Sequence, residues 1–185
     1  MIDNNLLFIN IPKTGSVSIR SKLNEIGKNN WKRVLPFDHD PFFIMEKNNK
    51  IDDFIFKFCM VRNPFTRTFS YYNHFKVKNN LDVSLIKFLN IIKEKKFFKK
   101  TPFILYPQMF FILNLKGEVG INKIYKFENF SELEDDFKIK FEMLNIGSYS
   151  KSEFYDKYSQ ECIDLTLNLF MCDFVNFNYE FDFPK

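Results

Sequence analysis

The strongest constraint on the fold is a pattern that occurs twice. Leu6–Asn10 is a short apolar run that stops at Ile11-Pro12-Lys13-Thr14-Gly15, after which Ile19, Leu23 and Ile26 recur at helical spacing up to Gly27. Phe54–Val61 (FIFKFCMV) is a second run, apolar but for Lys57, whose composition reads as a buried strand; Arg62-Asn63-Pro64 ends it, and Phe65, Phe69 and Tyr72 then share one helical face. Each pattern reads as strand, tight loop and helix, the second strand being covered on both faces. Pro64 suits a helix start, where its missing N–H leaves nothing unbonded that would otherwise be bonded. Strands alternating with helices predict an α/β fold: a single domain over residues 1–185 with three layers and a central parallel sheet. Ligands bind such folds at the carboxyl ends of the strands, where both loops lie.

The rest of the chain is consistent with that frame. Phe42–Lys47 is predicted to be helical, after a loop at Pro36–Pro41. Further helices are expected near Ser84–Lys95 and Tyr106–Leu115, then at Phe130–Leu144 and Gln160–Phe174, with a strand at Lys123–Phe127 and a loop at Gly147–Ser152. At 185 residues and 45% hydrophobic content the chain has enough apolar surface for one core, and with only 5 Gly and 7 Pro it lacks the composition of a disordered segment. No repeat or linker divides it. The 26 Phe and 8 Tyr are read as packing material, not as ligand platforms.

Charge and cysteine content exclude several classes. A net charge of +4 and a pI of about 8.8 suit an anionic small molecule or acidic polymer and fall well short of a nucleic-acid-binding tail. The basic stretch Lys93–Lys100 reads as a solvated helix end. Cys59, Cys162 and Cys172 have no metal-type spacing and are expected to be reduced, and no metal site is expected. The N-terminus MIDNNLLFIN carries acid where a leader peptide carries base, and no apolar run approaches the roughly 18 residues that span a bilayer. A soluble protein, cytoplasmic or otherwise, is expected, with neither a nucleic-acid partner nor a membrane span.

Chemistry concentrates in the two loops. In IPKTGSVSIR a loop feeds directly into a helix, whose first N–H groups are unpaired and favour an anion. Gly15 lets the backbone approach; Thr14, Ser16 and Ser18 add hydroxyls; Lys13 adds a full charge. This is a phosphate cradle, although an ordinary helix cap would read much the same. It is not a Walker A loop, because the lysine precedes a lone glycine instead of following a second one. In RNPFTRTFSYY, Arg62 offers a planar fork for phosphate, and Ser70, eight positions later, can reach the same anion if the chain folds back. Arg67, Ser70 and His74 share a helical face. Two anion-binding loops suggest a ligand with two phosphate-type groups.

These motifs resemble those of sulfotransferases that use 3′-phosphoadenosine-5′-phosphosulfate. PKTG with a serine-rich helix start is similar to the family's 5′-phosphosulfate loop, and RNPFTRTFSYY to its 3′-phosphate element. The likeness is nearest to the carbohydrate sulfotransferases related to the heparan 2-O-sulfating enzymes, whose motif often reads HIPKTGGTS. FDHDPFF, YKFENF and MCDFVNFNYEF extend it in order over most of the chain. Asn10, Ser16 and Val17 depart from the histidine, glycine and threonine common there.

The resemblance implies a P-loop-like fold and in-line transfer of a sulfuryl group to a hydroxyl, that of a glycan or small molecule, without metal and with adenosine 3′,5′-bisphosphate as product. It assigns Lys13 to the bridging oxygen and the leaving phosphate. Thr14, Gly15, Ser16, Val17 and Ser18 fall to the 5′-phosphosulfate, and Arg62 and Ser70 to the 3′-phosphate. It favours His39 as general base, with His74 as the other histidine and Asp38, Asp40 or Glu46 as carboxylate substitutes. Glu128 reads as structural or as lining an acceptor cleft, Lys151 as a surface lysine that could reach the nucleotide, and Trp31 as buried or stacked on adenine. Two other readings fit the loops: a kinase-like phosphoryl transferase, and a nucleotide-binding module without catalysis.

Overall fold

The structure is a computed structural model, and it describes residues 6–26, 39–48, 56–94, 106–144 and 149–184. Trp31, Asp38, Gly147, residues 54–55 of the second expected strand and residues 95–100 of the basic stretch lie outside the described residues. The chain divides into two compact units, residues 1–62 with 108–145, and residues 63–107 with 146–185.

The first unit is a mixed α/β arrangement on a three-stranded parallel sheet. Strand β1 (Leu6–Ile9) leads to helix α1 (Ser16–Ile26), then to α2 (Phe42–Lys47) and strand β2 (Phe56–Val61). After a 3₁₀ turn at Gln108–Ile112 come strand β3 (Lys123–Lys126), a second 3₁₀ turn at Phe127–Asn129 and helix α5 (Phe130–Phe137). The order β1-β2-β3 makes β2 central, with Ile9 beside Cys59 and Val61 beside Lys126. That position explains why four consecutive apolar residues of β2, Phe58, Cys59, Met60 and Val61, are all buried. Burial also pushes the Cys59 thiol pKa well above its ordinary value.

Ile19 and Leu23 of α1, one turn apart, pack with Phe8, Phe58, Met60, Tyr125, Leu133 and Phe141. The Phe58 ring lies 5.2 Å from Phe8 and 5.0 Å from Phe137. Burial of an isoleucine of this kind contributes about 2 kcal/mol. Because all three strands run the same way, the residues that follow them, from Asn10, Arg62 and Phe127 onward, leave the sheet at one end.

The second unit is helical in its described residues. Helix α3 (Pro64–Asn79) starts as expected for Asn-Pro: the Asn63 side chain accepts from Phe65 N–H at 2.9 Å, and Pro64 occupies the first turn. It stops at Asn80, a left-handed residue with φ 49°. Serines 84, 150 and 159 cap α4 (Leu85–Lys93), α6 (Lys151–Lys157) and α7 (Gln160–Asn176). Phe65, Phe69, Tyr72, Phe88, Phe154, Tyr158 and Phe174 form its core, where the Tyr158 hydroxyl donates to Phe65 O at 2.8 Å.

Three expectations change. Residues 106–115 form only the 3₁₀ turn at Gln108–Ile112, because Asn114 turns the chain: its side-chain oxygen accepts from Lys116 and Glu118 N–H, and Leu113 then bridges Val119 in antiparallel fashion. The helix predicted to reach Leu144 ends at Phe137, where Lys138 turns left-handed at φ 53° and Glu134 takes the N–H of Phe141. The predicted loop through Ser152 is helical from Lys151, since Ser150 accepts from Glu153 N–H and nucleates a turn. No helix among the described residues is long and apolar enough to cross a membrane.

Candidate functional site

The loop between β1 and α1 is built by its own hydrogen bonds. Ile11 N–H donates to Ile9 O at 3.0 Å, and the buried Thr14 hydroxyl donates to Ile11 O at 2.9 Å. Two residues take left-handed backbone, Gly15 at φ 79° and Lys13 at φ 68°. For glycine this conformation is easy, whereas for lysine it costs about 1–2 kcal/mol. A strained non-glycine residue in a loop at a strand's carboxyl end is a pointer to function. Gly15 O then accepts from Ile19 N–H to open α1, an 11-residue helix whose first N–H groups face away from its own ladder.

Two hydroxyls of this loop, those of Thr14 and Ser18, have structural partners that the sequence did not disclose. Thr14 gives its proton to the loop. Ser18, nearly fully buried, accepts from Leu144 N–H at 2.8 Å, which ties α1 to the segment after α5. Ser16 is buried at the helix start, and Val17 is exposed. Beside these hydroxyls the loop carries backbone N–H groups and the Lys13 ammonium, both suited to an anion.

Arg62 comes to this loop from the end of β2. Its Nη1 donates to Lys13 O at 3.4 Å, joining residues 49 apart in sequence, and its guanidinium lies over the Phe127 ring, 4.4 Å from the ring centre. Phe127 also touches the glycine: a Cβ on Gly15 would sit 3.0 Å from its ring carbon. Desolvation, and then the charge of Arg62, hold the Lys13 ammonium below the usual lysine pKa. An anion bound between such cations would favour the charged lysine.

Arg62 is in turn gripped at its backbone. Gln108, fully buried, accepts from Arg62 N–H at 2.8 Å and donates to Arg62 O at 2.8 Å. Gln108 and Phe127 are the two residues of this site that sequence reasoning missed. The available signal for the first was one amide inside the apolar run YPQMFFI, because a buried amide must find partners.

His39 stands next to the same loop, its Nδ1 within 2.9 Å of Asn10 O. A carbonyl only accepts, so Nδ1 carries a proton and Nε2 is the basic nitrogen of the neutral ring. Asp40 is buried beside it in sequence, and Glu46 of α2 accepts from Leu115 N–H at 2.6 Å. Glu128 is exposed after β3.

In the second unit, Ser70 is half-buried on α3 and His74 is exposed on the same helix, its ring 6.3 Å from that of Tyr71. Arg67 is buried, with Nη1 donating to Tyr106 O at 3.2 Å. Burial drives the Tyr71 phenol pKa up to about 12 against the opposing charge of Arg67. Lys151 is exposed, its Nζ over the Tyr155 ring. Cys59 and Cys162 are buried thiols and Cys172 is exposed. Among the described residues no cluster of three or more His, Cys, Asp or Glu could hold a metal ion.

The chain matches no protein-family model, no curated protein and no solved structure.

Proposed function

We propose that this chain is a sulfotransferase that moves the sulfuryl group of 3′-phosphoadenosine-5′-phosphosulfate to a hydroxyl, that of a carbohydrate in keeping with its sequence likeness, on a three-layer, P-loop-like form of the α/β fold. The observation that carries the reading is the meeting of Lys13 and Arg62, one from each sequence-predicted phosphate loop, beside the start of α1. Two cationic residues in contact at a helix N-terminus suit a ligand with two anionic groups, so the donor set fits the nucleotide.

When bound, the nucleotide supplies the sulfuryl group and, in its bisphosphate remainder, the leaving group. Lys13 would neutralise charge growing on the leaving phosphate through Nζ, and the first N–H groups of α1 would hold the 5′ end. Thr14 and Ser18 would keep the loop in shape through their bonds to Ile11 and Leu144. The Arg62 fork would take the 3′-phosphate, a group to which the sequence likeness also assigns Ser70. His39 would receive the acceptor's proton at Nε2, its Nδ1–H being directed to Asn10 O.

Thermal melting with adenosine 3′,5′-bisphosphate tests the reading first. At roughly 100 times its dissociation constant the ligand should add about 2.7 kcal/mol of stability. Transfer of labelled sulfate from the donor to a panel of glycans and small alcohols, read by mass spectrometry, tests it second. A midpoint raised by ATP with magnesium but not by the bisphosphate would favour a kinase-like enzyme, and nucleotide binding without transfer a binding module.

A further inference from the structure

Arg62 is the first residue beyond the paired part of β2, since the ladder to β3 ends at Val61 beside Lys126. Its N–H and C=O have run past the strand that would bond them. Gln108 takes that place: one buried side-chain amide accepts from the N–H and donates to the C=O, both at 2.8 Å, as a neighbouring strand would. The amide comes from a 3₁₀ turn 46 residues away, so the end of β2 is anchored to a separate piece of chain. Beyond this backbone anchor the Arg62 guanidinium rests on Phe127 and reaches Lys13 O.

A long side chain such as arginine loses considerable rotamer freedom when it is held to one anion, and holding it beforehand lowers that cost. The backbone determines where the side chain starts, so an unanchored Arg62 would sample positions from which its fork misses the ligand. From the paired bonds we infer that Gln108 is a positioning residue, one that touches no ligand and sets how strongly the site prefers a nucleotide bearing a 3′-phosphate over one bearing a 3′-hydroxyl. This inference rests on the assignment of Arg62 to the 3′-phosphate.

The test compares adenosine 3′,5′-bisphosphate with adenosine 5′-monophosphate by titration calorimetry, in wild type, Gln108→Ala, Arg62→Ala and the double variant. Gln108→Met, similar in length and unable to form either bond, serves if the alanine variant does not fold, and circular dichroism checks each protein. The preference for the bisphosphate should fall roughly tenfold in either Gln108 variant, while affinity for the monophosphate stays within about twofold of wild type. In the Arg62→Ala background, Gln108→Ala should change the preference no further. A purely structural role would weaken both nucleotides alike, or act independently of Arg62, and either result overturns the inference. A wild type with a clear preference that Gln108→Ala and Gln108→Met both retain overturns the inference alone. A wild type with no preference between the nucleotides overturns the assignment of Arg62 and the inference with it.

Discussion

Gly15→Ala carries two separable costs, and a second glycine supplies the control. Gly15 has φ 79° and Gly117 has φ 80°, so an alanine at either position meets nearly the same backbone penalty. That penalty is about 1–2 kcal/mol, offset by about 0.4–1 kcal/mol because alanine restricts the unfolded chain more than glycine does. Gly117→Ala has nothing within 4 Å of the added carbon and should show only this difference, about 1 kcal/mol. At Gly15 the new Cβ would lie 3.0 and 3.1 Å from two carbons of the Phe127 ring and 3.6 Å from Phe130. Carbon atoms rest about 3.5–4.0 Å apart, so the ring must give way, at a further cost of about 1 kcal/mol. Gly15→Ala should therefore destabilise by about 2 kcal/mol. With a urea slope of about 2 kcal/mol per molar, its midpoint should fall by about 1 M, and that of Gly117→Ala by about half as much. Circular dichroism during urea titration measures both. Since the displaced ring is the one beneath Arg62, Gly15→Ala should also weaken bisphosphate binding where Gly117→Ala does not. Equal midpoints for the two variants would show that Phe127 yields without cost and refute the packing argument.

Three further outcomes are expected. Bisphosphate affinity, measured by calorimetry across pH, should fall as pH rises through the lowered pKa of Lys13 toward the ordinary lysine value of 10.5, because the anion binds the charged form; Lys13→Arg, charged throughout, should flatten that profile. Lys13→Met should raise the melting midpoint of the ligand-free protein at neutral pH while weakening bisphosphate binding, and an unchanged or lower midpoint would contradict the electrostatic penalty. His39→Ala should cut sulfate transfer about a hundredfold with bisphosphate affinity nearly unchanged, and near-normal transfer would remove His39 from the reaction.

The elements read correctly from sequence are those whose cause is local. β2 is legible because a central strand covered on both faces needs a run of apolar residues, and Phe58–Val61 (FCMV), all buried, supplies it, with Lys57 confined to the half-buried start. The start of α3 is legible because Asn63-Pro64 is cap and first turn in two residues. The misreadings have non-local or competing causes. The apolar residues that follow Gln108, from Met109 to Leu113, satisfy a helical pattern, but the Asn114 turn and the bridge from Leu113 to Val119 divert the chain after one 3₁₀ segment. In the site, residue type was visible and commitment was not. Thr14 and Ser18 are legible as hydroxyls in a phosphate-type loop; that the Thr14 hydroxyl donates to Ile11 O, and that Ser18 accepts from a backbone N–H 126 positions later, is not. Gln108 was legible only as an amide that needs partners; that the partner is the main chain of Arg62, 46 residues away, no local pattern reports.

Lys13 shows how binding and folding draw on opposed terms. Its left-handed backbone costs at least as much as a surface ion pair contributes, and its ammonium is desolvated beside a second cation, so the ligand-free loop is worse off for having it. Nothing in the fold requires a lysine there, since glycine would take φ 68° without strain and methionine would fill similar space without charge. The two penalties respond differently to a bound anion. The backbone strain persists in both states and fixes where the Cα points; the charge repulsion is relieved only when negative charge arrives. The repulsive part is therefore returned on binding and adds to affinity, whereas the conformational part adds none and contributes by orientation. That separation gives the variants at this position distinct signatures: Lys13→Met removes the charge at similar shape and should lower both affinity and turnover, whereas Lys13→Arg keeps the charge at altered shape and should lower turnover far more than affinity.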